Sequence, residues 1–178
     1  MASTALHPPT LAEFSQLPNL EESPAWELLN GQVVQKPMPT LHHSRLQKRL
    51  VSAIDNTSSP YEAFPELRCI LSQNSIVPDI TIVHQTRIPT NNEPLQGVPN
   101  WLIEILSPDP STTKLIAKIQ ISLDEGSQLG WLIDSQEAAI MIFLPDQPLQ
   151  LLSGDRLLPV LDEISLQLTP NQVFSWLQ

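Results

Sequence analysis

The sequence predicts a mixed α/β domain in which several strands follow one another directly. Three observations carry that reading. Residues 41–56 and 110–126 place apolar side chains at helical spacing. SIVPDITIV (75–83) and NWLIEILSP (100–108) are dense in β-branched and aliphatic residues, as buried strands are. GWLID, AAIMIFLP and PLQLLSG then succeed one another with only turn-length breaks, so the order is not a regular strand–helix alternation.

Taken in order, TLAEFSQLP (10–18) reads as a short helix with Thr10 as its cap and Pro18 as its stop. AWELLNGQVVQKP (25–37) reads as two strands about Asn30-Gly31, a dipeptide suited to a type I′ turn. Leu46, Leu50, Val51 and Ile54 mark a helix from about Leu41 to Asn56, interleaved with His42, His43, Arg45, Lys48 and Arg49. Strands are expected around Ala63–Leu71, at Asp79–Val83 and at Trp101–Leu106, with a long polar loop over 84–100. Pro110 and Ser111 open a second helix whose apolar face is Leu115, Ile116, Ile119 and Leu123, and Gly126 ends it. Antiparallel strands at 130–134, 138–145 and 148–154 and a closing helix in LTPNQVFSWL (168–177) complete a single expected domain over 1–178.

Composition narrows the function. A formal charge of −10 over 178 residues argues against a general nucleic-acid coat protein, because phosphate contacts dominate such binding. The charge is uneven, however. Residues 36–68 hold five of the nine basic side chains against three acids, whereas residues 119–178 hold eight acids and only Arg156. Charges more than about 8 Å apart are largely screened at physiological salt, so a local basic face on the 42–56 helix can act beside a remote acidic one. No apolar run approaches the roughly 20 residues that span a bilayer. MASTALHPPTLAEF lacks the basic start and apolar centre of a secretory signal, which makes the cytoplasm the expected compartment. Cys69 is the sole cysteine, so neither an internal disulfide framework nor a cysteine zinc site is expected.

The chemistry begins with two misplaced acids. Asp79 follows Pro78 at the head of a β-rich run, and Glu104 interrupts a second one, sharing a strand face with Leu102 and Leu106. Side by side at ~4 Å and an effective dielectric of ~20, two carboxylates repel by roughly 4 kcal/mol. A shared proton, a cationic side chain or a metal resolves that conflict. Hard oxygen ligands suit Mg²⁺ or Mn²⁺. On the following helix Lys118 falls at the border of the apolar stripe, while Lys114 points further outward. Asp, Glu and Lys around a divalent ion form a set that cleaves phosphodiesters.

VPDITIV (77–83), NWLIEILSP (100–108) and KIQISLDEGSQLGWLID (118–134) together resemble the PD-(D/E)XK nuclease superfamily, and within it the Uma-type restriction endonuclease family. The likeness extends to WELLNGQVV (26–34), to His42 or His43 at the opening of the next helix, and to the closing LTPNQVFSW. It implies a restriction-endonuclease-like core, a mixed β-sheet flanked by helices, with Asp79 and Glu104 as metal ligands. Leu106 stands where the family's usual lysine would be, two residues after the acid. The resemblance then implies that Lys118 supplies it from the helix, and that Glu27 is an early acid able to join the site. The family's usual aromatic residue after the lysine is not seen in IQISLDEG, and Lys114 replaces an acid a turn earlier.

The expected function is a Mg²⁺- or Mn²⁺-dependent endonuclease acting on DNA, with Arg45, Lys48 and Arg49 holding the backbone. The alternative is a nuclease fold that no longer cuts and serves as a binding or assembly module. A homodimer is expected, since folds of this kind often pair protomers. His42 and His43 lie about 100° apart on a helix, so both cannot face one ion. Trp26, Trp101, Trp131 and Trp176 are read as core or interface, Asp134 as a turn residue and Cys69 as a small core hydrophobe.

Overall fold

The 75–83 run is not one strand but the joint between two sheets. In the computed structural model, which describes residues 7–108 and 112–178, it divides into β5 (Ser75–Ile76) and β6 (Ile80–His84), with Val77, Pro78 and Asp79 between them. The smaller sheet has the order β2-β1-β5-β4-β7, built from β1 (Trp26–Leu29), β2 (Gln32–Gln35), β4 (Cys69–Ile70), β5 and β7 (Leu95–Gln96). The larger has the order β11-β10-β9-β8-β6-β3. It contains β3 (Tyr61–Pro65), β6, β8 (Trp101–Ile105), β9 (Leu129–Asp134), β10 (Ala139–Phe143) and β11 (Gln150–Leu152). Only β8 and β9 run parallel in it, as expected of strands joined through a helix, here α3 (Thr112–Asp124). Pro110 and Ser111, expected to open α3, lie outside the described residues.

Local chemistry accounts for most element ends. Thr10 caps α1 (Leu11–Phe14) in a reciprocal capping box with Glu13, and the helix stops at Phe14, ahead of Pro18. Asn30 and Gly31 both take positive φ, 49° and 74°, giving the tight turn their sequence predicts. Thr40 caps α2 (Leu41–Asp55), and Thr169 caps α4 (Pro170–Ser175) with Pro170 in the first turn. Asp134 accepts from the backbone N–H groups of Gln136 and Glu137, forming the β9–β10 turn.

The expected strand over Ala63–Leu71 is instead two strands in different sheets, β3 and β4. The chain turns between them at Glu66, whose φ of 53° is left-handed, and its backbone N–H bonds the Asp79 carbonyl. The 84–100 loop also carries more order than expected, a 3₁₀ turn at Gln85–Arg87 and strand β7.

Alternation along the large sheet sorts its two faces. Ile80, Ile82, Trp101, Ile103, Trp131, Ile133, Ile140 and Ile142 pack with Leu46, Leu50 and Ile54 of α2 and with Leu158, Leu161, Leu168 and Val173 near the C-terminus. Trp101 and Trp131 meet edge to face, their ring centroids 4.7 Å apart. Such a pair contributes about 1 kcal/mol beyond its area. Trp26 and Trp176 are half-buried, and Trp176 packs on this core. The opposite face presents Leu102, Leu132 and Phe143 to Ile119 and Leu123 of α3. Gly130 allows that approach, since a Cβ there would lie 2.4 Å from Ile119 Cγ2. Asp79 and Glu104 belong to the α3 face. No helix of the described residues is long and apolar enough to cross a membrane.

Candidate active site

Register brings the two acids together. Ile80 pairs with Ile103 and Thr81 with Leu102 in the antiparallel β6–β8 ladder. One step further along, Asp79 stands opposite Glu104, and opposed residues share a face. The Ile105 N–H closes the arrangement by donating to Asp79 Oδ2 at 2.7 Å. Both carboxylates are buried, 3% and 1% exposed.

The third side is supplied by α3. Lys118 is buried, not a snorkelling surface lysine, and its Nζ lies 2.9 Å from both Glu27 Oε1 and Glu104 Oε1. Only the contact with Glu27 is well directed as a hydrogen bond; the Glu104 contact is close but undirected. Glu27 is buried in the middle of β1 and also accepts from the Val77 N–H at 2.6 Å. Of the histidine pair, His43 turns inward and places Nε2 3.0 Å from Asp79 Oδ2, while His42 is exposed. The helix rotation that separates neighbours by about 100° decides which of the two reaches the site.

Three further participants were not signalled by the motifs. Lys36, directly after β2, donates from Nζ to Asp79 Oδ1 and Val77 O, both at 2.8 Å, and to Glu66 Oε2 at 2.9 Å. Gln47 of α2 donates to the Asp79 carbonyl at 2.7 Å and to Glu66 Oε1 at 3.2 Å. A readable trace of Lys36 exists in the hairpin register. Glu27 pairs with Val34, so Lys36, two residues on, shares the face of Glu27. Glu66 and Gln47 carry no comparable signature, because a left-handed turn and a helix crossing bring them in.

These groups line a cleft of about 410 Å³, together with Pro24, Pro37, Pro39, Lys114 and Leu115. Arg45, Lys48 and Arg49 lie elsewhere. Arg45 donates to the carbonyls of Trp176 and Leu177. Lys48 and Arg49 are exposed, on the side of α2 turned away from His43 and Gln47.

The electrostatics follow from burial and neighbours. Burial opposes the Asp79 charge, but the Lys36 ammonium and the His43 contact outweigh it and hold this carboxyl well below the ordinary range. Glu104 goes the other way. Burial, with the Asp79 and Glu27 carboxylates, pushes it up to about 8 against the pull of Lys118. Burial also works against the Lys118 charge, yet Glu104, Glu27 and Asp79 raise its pKa. The two partners therefore compete, since Lys118 gains from Glu104 only while Glu104 is ionised. The directed bond of Lys118 to Glu27 makes a raised Glu104 the direction the geometry supports. Cys69, wholly buried, is pushed up to about 12 and stays a thiol.

Neither oxygen of Glu104 has a hydrogen-bond partner among the described residues. A buried carboxyl with no directed hydrogen bond, beside an ionised one, is a donor pair for a hard cation once Lys118 yields its contact. Among the described residues no three His, Cys, Asp or Glu side chains form a ready-made cage. Two carboxylates are nevertheless enough for an ion such as Mg²⁺ that keeps most of its waters. The residues fit such an ion.

A mixed sheet flanked by helices, with an acid pair and a lysine across its strand ends, defines a restriction-endonuclease-like fold. The chain belongs to the Uma2 family, described as "putative restriction endonuclease", whose family model matches residues 11–171. It is also similar to the crystal structure of a "putative nuclease belonging to DUF820" from Anabaena variabilis. The two are 40% identical with a TM-score of 0.89, over 96% of this chain and 100% of that one. No curated protein matches the chain.

Proposed function

We propose that the protein is a divalent-metal-dependent endonuclease that hydrolyses phosphodiester bonds in DNA. The observation that carries the reading is the convergence of Asp79, Glu104 and Lys118 at the floor of one open cleft. Asp79 and Glu104 would hold Mg²⁺ or Mn²⁺, which when bound polarises a phosphate and lowers the pKa of water. Glu27 is a positioning residue, fixing the Lys118 ammonium while itself held by the Val77 N–H. Lys118 donates to the attacking water or to the oxygens on which charge develops. His43 steadies the Asp79 carboxylate through Nε2. Lys114 at the rim meets the nearest backbone phosphates, whereas Lys48 and Arg49 face away from the cleft and Arg45 is engaged at the C-terminus.

Membership of a restriction-endonuclease family supports a nucleic-acid substrate. The expected result is cleavage of plasmid DNA in Mg²⁺ or Mn²⁺ that stops with chelator and is lost in Glu104→Ala protein. One observation favours a second reading, a nuclease fold that binds without cutting. Both oxygens of Asp79 already have protein partners, Lys36 on one and His43 with Ile105 N–H on the other. No cleavage by well-folded wild type that still binds DNA would favour it.

A further inference from the structure

Lys36 has no role in the endonuclease reading, yet its ammonium occupies Asp79 Oδ1, one of the two oxygens a cation on Asp79 could use. Its side chain is 8% exposed, and its three N–H bonds are divided among Asp79 Oδ1, Glu66 Oε2 and Val77 O. A divalent ion accepting Asp79 Oδ1 at about 2 Å would stand within a few ångströms of that ammonium. Two cations on one carboxylate oxygen repel strongly in a buried site. The ammonium has somewhere to go. Glu66 is already a partner, its side chain lines the cleft and is 44% exposed, and Gln47 holds its other oxygen at 3.2 Å. Glu66 sits at a left-handed turn, φ 53°, with its carboxylate on Lys36 and Gln47.

We propose that Lys36 is a tethered cation that occupies Asp79 until a divalent ion replaces it, with Glu66 as the seat to which it withdraws. This rests on the metal-site reading. Lys36 would thereby set the metal affinity, keeping Asp79 neutralised in the metal-free protein and leaving a cation beside the phosphate once the ion is bound.

The test is calorimetric titration of Mn²⁺ into the metal-free full-length protein, with folding checked by circular dichroism. Lys36→Met should bind at least about tenfold more tightly than wild type, as removal of a like charge in direct contact requires. Glu66→Gln should weaken binding in the wild-type background and change it little in Lys36→Met protein. A Lys36→Met affinity equal to or below wild type overturns the inference, and so does a Glu66→Gln effect of the same size in both backgrounds. Should Lys36→Met fail to fold, Lys36→Gln, which keeps a donor without the charge, is held to the same outcomes. Crystals soaked in Mn²⁺ give an independent readout. Nζ should lie on Glu66 and out of hydrogen-bond reach of Asp79, and an ion bound with Nζ still on Asp79 contradicts the proposal. Absence of Mn²⁺ binding in wild type and variants alike overturns the metal reading and this inference with it. Binding without a gain in Lys36→Met overturns the inference alone.

Discussion

Glu104 should make the metal-free protein lose stability as pH rises from 5 to 8. Its carboxyl is pushed up to about 8 in the folded chain, against an ordinary value of 4.5, by burial and by the Asp79 and Glu27 carboxylates. Between those values the native state keeps a proton that the unfolded chain has released. The stabilisation is therefore full below pH 4.5 and is lost as pH climbs through 8. One such proton gives a slope of about 1.4 kcal/mol per pH unit. On the order of 4 kcal/mol would separate pH 5 from pH 8, a large share of a domain's typical 5–15 kcal/mol. Glu104→Gln, which replaces the protonated acid by a neutral amide, should flatten the slope. Urea unfolding in chelator, followed by fluorescence of the buried Trp101 and Trp131, measures both proteins. A flat wild-type profile, or equal slopes in wild type and Glu104→Gln, would show that Glu104 holds no extra proton in the folded chain.

Asp79 titrates with the opposite sign. Its depressed carboxyl contributes stability that is complete above about pH 4 and is lost as pH falls further. Urea unfolding of Asp79→Asn should accordingly show a shallower decline than wild type below pH 4. Lys118→Met should cost about 10²–10³ in cleavage rate yet still bind Mn²⁺ in calorimetry; loss of binding would make Lys118 structural rather than catalytic. Gly130→Ala should cost roughly 1–3 kcal/mol in urea unfolding, because the new Cβ collides with Ile119 and pushes α3 outward. Wild-type stability in that variant would contradict the packing of α3 on β9.

Much of this arrangement is legible before folding. Alternation places Glu104 among apolar neighbours on one face, helical spacing places Lys118 beside Ile119, and Asn30-Gly31 fixes the hairpin that presents Glu27. Where the reading falls short, the cause is a change of sheet. The run 75–83 looks continuous because β-branched residues stand on both sides of Pro78-Asp79, whereas in 63–71 the break is marked by Pro65-Glu66. Strands of two residues, such as β4, β5 and β7, are too short for any period to register. Lys36 escapes for another reason. In the sequence it is one of several scattered lysines and arginines, and its partners Asp79 and Glu66 lie 43 and 30 residues away. Arg45 shows the converse, a cation on a basic helix that folding commits to the carbonyls of Trp176 and Leu177.

Asp79 and Glu104 are proposed as the pair of ligands to one ion. The direct measurement is an anomalous difference map from crystals soaked in Mn²⁺, recorded for wild type and Asp79→Ala. A single peak bridging the two carboxylates in wild type, and none in the variant, is the predicted result. Density between the strands that stays empty in wild type, or a peak that persists without Asp79, would contradict it.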